Sequence, residues 1–84
     1  MEVLIDVEVS ATDRKTFEEF EQTVASYEEV VELRRMFGRH DYFIRVAVAD
    51  HAAYEAFLTG RLSGLPCVLR LESHLTMKEI KTLS

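Results

Sequence analysis

The feature that most constrains this chain is the strict alternation of apolar and polar residues near its start. In residues 3–9 the odd positions carry valine or isoleucine, and Asp6 and Glu8 stand between them. Alternation with β-branched residues is typical of a strand that is buried on one face only. The same pattern returns in residues 42–48 and 67–77, so these three segments are predicted to be strands of one half-buried sheet.

Two segments with a helical repeat separate the predicted strands. The first follows Thr12 and Asp13, either of which can cap a helix because its side-chain oxygen accepts from free backbone N–H groups. The second follows Asp50 and is stopped by Gly64 and Pro66. The apolar stripes of the two helices are Phe17, Phe20, Val24 and Tyr27, then Tyr54, Phe57, Leu58 and Leu62.

Residues 28–37 fit two patterns. Val31 can continue the first helical stripe, or Val31, Leu33 and Phe37 can alternate with residues 32, 34 and 36 in a strand. The strand is favoured because the segment 38–41 that follows is a short glycine-containing connector. Connectors of this kind join antiparallel strands in hairpins.

The order β-α-β-β-α-β predicts an α+β ferredoxin-like sandwich, in which two helices cover one face of a four-stranded antiparallel sheet. The residues predicted to face the helices are Val3, Ile5, Val7, Ile44 and Val46. The opposite face is predicted to carry Leu4, Phe43 and Ala47 among Asp6, Glu8, Arg34, Arg45, Arg70 and Glu72.

That opposite face suits pairing with a second copy of the chain. The alternative is a solvated face whose cross-strand ion pairs contribute little. A chain of 84 residues buries only about 60% of the surface that it exposes when unfolded. Pairing is therefore the favoured interpretation, because it enlarges a small core.

Composition excludes several classes of protein. The 15 acidic residues outnumber the 10 basic ones, so the net charge of −5 argues against direct binding of DNA through a basic face. No apolar run approaches the ~20 residues that span a bilayer, and the acidic start does not resemble a signal peptide. Cys67 is the only cysteine and cannot form an internal disulfide. We expect a reducing, cytoplasmic setting with no membrane partner.

Catalytic and metal-binding patterns are absent from the sequence. The histidines, His40, His51 and His74, lack the spacing of a zinc motif, and the chain has neither a phosphate-binding glycine loop nor a nucleophile elbow. Cys67 is interpreted as a small core residue rather than a catalytic thiol. The sequence therefore predicts no catalytic residue, no metal ligand and no cofactor.

The segment from Met36 to Tyr42 has two interpretations. The first is a plain hairpin turn, in which Gly38 supplies a positive φ and Asp41 accepts from nearby backbone N–H groups. The second is the edge of a small-molecule site. Exposed N–H groups of the turn would bind a carboxylate and Asp41 would bind an ammonium, as an α-amino acid requires. Spacing alone leaves both open.

A resemblance to a known family favours the second interpretation. The chain resembles the C-terminal effector-binding domain of the Lrp/AsnC (feast/famine) transcription regulators, also called the regulation-of-amino-acid-metabolism domain. The resemblance covers nearly the whole chain and rests on the order and spacing of short motifs. These are Gly38-x-x-Asp41-Tyr42 with Val46, Tyr54-x-x-Phe57-Leu58, Leu65-Pro66-x-Val68, and Arg70-x-Glu72-Ser73-His74 followed by Ile80-Lys81.

The resemblance implies dimers that form through the sheets and assemble further, into octamers or similar particles. It also implies that an amino acid or related effector binds between dimers, without catalysis. The turn residues that would line this site are Gly38, Arg39, His40 and Asp41, and the last strand of a neighbouring copy would add Ser73 and Leu71. Met36 and Leu75 are further candidates for apolar contacts. Leu71-x-Ser73 replaces the family's Thr-x-Thr, which makes the predicted pocket more apolar.

The family's full-length regulators carry a helix-turn-helix domain before this one. We expect residues 1–84 to form a single effector-binding and oligomerisation domain without that DNA-binding domain, either as a stand-alone protein or as a fragment. A stand-alone protein could co-assemble with full-length regulators. Two alternatives remain open: an oligomerisation module without a ligand, and a dimeric α+β barrel enzyme of the monooxygenase type that uses Tyr42, Tyr54 and His74.

Overall fold

The computed structural model describes residues 1–38 and 40–82, and these contain four strands and two helices. In chain order the elements are β1 (Glu2–Val9), α1 (Arg14–Ala25), β2 (Val30–Arg35), β3 (Tyr42–Ala47), α2 (His51–Phe57) and β4 (Val68–Leu75). The strands form one antiparallel sheet in the order β2-β3-β1-β4. This arrangement confirms the predicted ferredoxin-like α+β fold.

Aspartates start both helices, as the sequence predicts. Asp13 rather than Thr12 caps α1, because its Oδ2 accepts from the backbone N–H of Thr16 at 3.2 Å. The Oδ1 of Asp50 accepts from the N–H of Ala53 at 2.8 Å. After α2 the helix widens into a π turn over Leu58–Leu62. Neither helix is long and apolar enough to cross a membrane.

The alternation of β1 builds the core. Val3, Ile5 and Val7 are completely buried under the helices, and Ile44 and Val46 of β3 are buried beside them. All five were predicted to face this way, so the prediction is confirmed. The rest of the core consists of Phe20, Val24, Tyr42, Phe57 and Leu62.

Bulges in the two edge strands shift residues that strict alternation places elsewhere. One extra residue, Val31, interrupts the pairing of β2 with β3, and one extra residue, Leu69, interrupts the pairing of β4 with β1. The side chains of both are more than half exposed. The prediction that they share a face with Leu33 and Leu71 is wrong, because an extra residue changes the side to which a side chain points.

The predicted edge strands are also too long. Alternation predicts Phe37 in the second strand and Met77 in the last, but β2 ends at Arg35 and β4 ends at Leu75. Both side chains are almost completely exposed. No neighbouring strand of the described chain lies beside them. An apolar side chain therefore does not continue a strand where no pairing partner is present.

Candidate functional site

The turn between β2 and β3 is docked onto the end of β1. The backbone N–H of Met36 donates to the carbonyl of Asp41 at 2.8 Å, which closes the turn. The N–H of Asp41 donates to the carbonyl of Val7 at 3.0 Å. Gly38 has a φ of +136°, a conformation that L side chains rarely adopt. The glycine is therefore required by the backbone of this turn, as the sequence predicts.

One oxygen of the Asp41 carboxylate holds the turn in place. The backbone N–H of Val9 donates to Asp41 Oδ2 at 2.9 Å, in a partly buried position. Among the described residues, no donor reaches the other oxygen, Oδ1. The carboxylate can therefore dock the turn with one oxygen and offer the other to a ligand.

The remaining turn residues differ in their surroundings. His40 is half-buried, and its Nδ1 lies 3.9 Å from Glu8 Oε1 on β1. Met36 and Phe37 are exposed beside Gly38, which places apolar surface at the rim of the turn. Arg39, also predicted to line the site, lies outside the described residues.

The two predicted site residues of β4 lie on the side of the sheet that the helices cover. Leu71 pairs with Val7 in register and is half-buried against the core. Ser73 pairs with Ile5, and its hydroxyl shares a hydrogen bond with the hydroxyl of Tyr54 on α2. The sequence does not predict this contact between Tyr54 and Ser73. The two residues are linked in sequence only because each belongs to one of the motifs that carry the family resemblance.

Within one copy the turn and the β4 residues are kept apart. β1 lies between β3, which follows the turn, and β4. The turn contacts β1 at Val7 and Val9. Leu71 lies opposite Val7 on the other side of β1, and Ser73 lies opposite Ile5, farther back along that strand. Leu71 is therefore one strand away from the turn, and Ser73 lies farther from it.

The sheet face away from the helices is rich in charge pairs. Arg45 contacts Glu2 at 3.2 Å and Glu32 at 3.0 Å, and Arg34 contacts Glu32 at 2.5 Å. The hydrogen bond from Arg34 lowers the pKa of Glu32, with a smaller contribution from Arg45. Phe43 lies among these charges and is only partly buried.

The residues of the enzyme hypothesis do not converge. Tyr42 is buried in the core, where its hydroxyl donates to Glu21 Oε2 at 2.5 Å. Burial and this acidic neighbour raise the pKa of Tyr42. Tyr54 contacts Ser73 on the helix-covered side, while His74 pairs with Asp6 on the opposite face. These three candidates therefore share no common cavity.

A cleft of about 450 Å³ lies beside α1, and none of the described site candidates lines it. Phe20, Leu65 and Cys67 form part of its wall. Burial raises the pKa of the Cys67 thiol, which favours the unreactive protonated form. Cys67 also packs against the hydrophobic core, which supports its interpretation as a packing residue.

Comparison with protein families gives a match over nearly the whole chain. Residues 2–84 match the model described as the Lrp/AsnC ligand binding domain. Among curated proteins, a Bkd operon transcriptional regulator of Pseudomonas aeruginosa is 32% identical over 80 residues, which are 95% of this chain and 52% of that protein. The leucine-responsive regulatory protein of Haemophilus influenzae is 33% identical over 94% of this chain and 49% of its own length. The chain thus spans about half the length of these curated relatives.

Solved structures show the same relationship. An AsnC family transcriptional regulator from Agrobacterium tumefaciens superposes with a TM-score of 0.87 at 31% identity, over 96% of this chain and 52% of the other. A transcriptional regulator from Neisseria meningitidis, solved as a complex with L-methionine, has a TM-score of 0.87 at 25% identity over the same shares.

Proposed function

This chain belongs to the Lrp/AsnC ligand-binding domain family, and from that premise we propose that it binds a free amino acid or a related small effector within a homo-oligomer. The observation that carries the proposal is the docked turn, which combines exposed backbone with an Asp41 oxygen that no described donor reaches. An α-amino acid needs an anion to receive its ammonium group and N–H donors for its carboxylate. The L-methionine complex of the Neisseria meningitidis relative supports this class of effector.

The effector would lie between copies of the chain. Its polar end would contact Asp41 and the backbone of Gly38, with Arg39 and His40 beside it and Met36 at the rim. Leu71 and Ser73 would come from the β4 of a neighbouring copy. This division is supported by the position of β1, which lies between the turn and β4 within one copy.

The sheet face away from the helices would pair two copies. Leu4 and Phe43 lie on this face and are only partly buried in the single chain, and Ala47 is exposed. Pairing would cover these apolar groups, which a small domain gains from burying. Dimers formed this way would assemble further through the effector sites into octamers or similar particles.

The biological role would be regulation of transcription without catalysis. The curated relatives are transcriptional regulators, and the net charge of −5 disfavours direct contact with DNA by these residues. Residues 1–84 would act as one effector-binding and oligomerisation domain. It would influence DNA binding through a helix-turn-helix partner, including by co-assembly with full-length regulators.

A thermal-shift screen against the twenty amino acids tests the proposal. A ligand at 100 times its Kd stabilises the native state by about 2.7 kcal/mol, which corresponds to roughly ten degrees in a domain of this size. We expect a shift with one chemical group of amino acids. The absence of any shift, in a chain that still oligomerises, would favour the module without a ligand.

Substitutions of Asp41 make the test specific. Asp41→Asn keeps an oxygen for the N–H of Val9 but removes the charge, so it should abolish the shift while leaving the fold intact. Asp13→Ala is the matched control, because Asp13 also accepts a backbone N–H but lies at the start of α1. It should lower the melting temperature and retain the shift. Unchanged affinity in Asp41→Asn would contradict the role of this residue.

A further inference from the structure

The sheet face away from the helices carries a second cluster of titratable side chains that the proposed effector site does not use. Asp6 lies on β1, and Glu72 and His74 lie on the neighbouring β4. Glu72 and His74 are two residues apart and therefore share a face, and the strand register sets Asp6 opposite Glu72. The cluster thus stands on two paired strands and not on a loop.

The distances within this cluster match those between the ligands of one metal ion. His74 Nε2 lies 3.2 Å from Asp6 Oδ2 and 3.1 Å from Glu72 Oε1, and all three atoms lie within 4.8 Å of one another. An ion bound at 2.0–2.2 Å in tetrahedral geometry holds neighbouring ligand atoms about 3.3 Å apart. The three atoms therefore need little movement to bind the same ion.

The charges around the cluster also favour a cation. Like charges placed directly opposite each other destabilise a strand pair, and Asp6 and Glu72 are so placed. Within residues 1–38 and 40–82, neither carboxylate has a lysine or arginine partner within 4.0 Å. Elsewhere on the same face, Arg45 pairs with Glu2 of β1 and Glu32 of β2, and Arg70 of β4 lies 4.0 Å from Glu8 of β1. Among the described residues, Asp6 and Glu72 thus contact a histidine where Glu2, Glu8 and Glu32 of the same face contact an arginine.

We propose that Asp6, Glu72 and His74 form a binding site for a divalent transition-metal ion, with Zn²⁺ as the best fit. An imidazole nitrogen with two carboxylate oxygens suits zinc better than calcium or magnesium, which prefer sites made of oxygen alone. Three protein ligands leave one coordination position for water or for a group of a second copy. None of its ligands is an effector-site residue. Glu72 and His74 flank Ser73 in sequence, but they lie on the face away from the helices, whereas Ser73 lies on the helix-covered face.

Isothermal titration of the purified, tag-free, metal-free chain with Zn²⁺ tests this site. We expect one ion per chain. His74→Gln should weaken binding by at least about 100-fold, since even groups that only support a ligand cost 10–100-fold when removed. Substitution of Co²⁺ adds a spectroscopic readout, because the visible absorption of the ion reports nitrogen and oxygen coordination.

Two further variants remove the other two proposed ligands, and two controls replace histidines outside the cluster. Asp6→Asn and Glu72→Gln should each weaken binding, while circular dichroism confirms that the fold persists. His51→Gln on α2 and His40→Gln beside Glu8 should leave zinc affinity unchanged. Absence of zinc uptake by the wild-type chain would overturn the site. Equal binding by wild type and His74→Gln, or loss of binding in His40→Gln, would overturn it as well.

Discussion

The same strands form both faces of the sheet, but the helices of the chain cover only one of them. On one face, Val3, Ile5 and Val7 meet helices of the same chain and lose all contact with water. On the other face, Leu4 and Phe43 alternate with charged residues and stay partly exposed. The first face is thus completed within one chain, whereas the second is free to receive a second copy.

Because successive side chains of a strand point to opposite faces, neighbouring residues can contribute to different interactions. Phe43 and Ile44 are adjacent in β3 but point to opposite sides. Ile44 contributes to the stability of the chain itself, and in the proposed pairing Phe43 would contribute to association. Substitutions at this pair of residues separate the two tasks directly.

The largest effect is expected at Ile44. Ile44→Ala leaves a cavity in a completely buried position and should lower the free energy of unfolding by about 2–5 kcal/mol. Urea unfolding followed by circular dichroism measures the change. A loss below that of Phe43→Ala, at the same protein concentration, would contradict the assignment of the two faces.

Phe43→Ala should act mainly on pairing. If Phe43 is an aromatic anchor between copies, its removal costs about 2 kcal/mol of association, or roughly a 30-fold weaker dimer. Sedimentation equilibrium of the wild type and the variant measures this change. The helix-covered face stays intact in the variant, so its circular dichroism spectrum should match that of the wild type. Unaltered self-association would argue against pairing through this face.

The smallest effect is expected for the ion pairs of the sheet face away from the helices. Because the pKa of Glu32 is lowered in the folded chain, its charge adds stability above the ordinary glutamate pKa. That stability is lost as the pH falls through the lowered pKa. The free energy of unfolding of Glu32→Gln should therefore be below that of wild type at neutral pH and converge with it in acid. A gap that does not change with pH would contradict this role.

Much of the architecture was predictable because local patterns carry it. The alternation of residues 3–9 predicts a half-buried strand, and the aspartates at 13 and 50 start the helices where short side-chain acceptors are needed. The glycine at 38 marks the turn because only its backbone accepts a φ of +136° without strain. Each of these features depends on a few consecutive residues and on no distant contact.

Long-range pairing decided the rest. The bulges at Val31 and Leu69 depend on how two strands align, and a single strand contains no record of that alignment. The docking of Asp41 on Val9 is likewise a contact between residues 32 positions apart. Strict alternation therefore misplaced the two bulged residues.

The cluster of Asp6, Glu72 and His74 illustrates the same division. The spacing of the histidines predicted no metal site, because Asp6 and His74 are 68 residues apart in sequence. The sequence by itself determined the order of elements, the buried face and the family, since periodicity and short motifs are local properties. Only the tertiary structure decided which charges meet across strands, because register arises when the sheet assembles and brings distant side chains to within 3.2 Å.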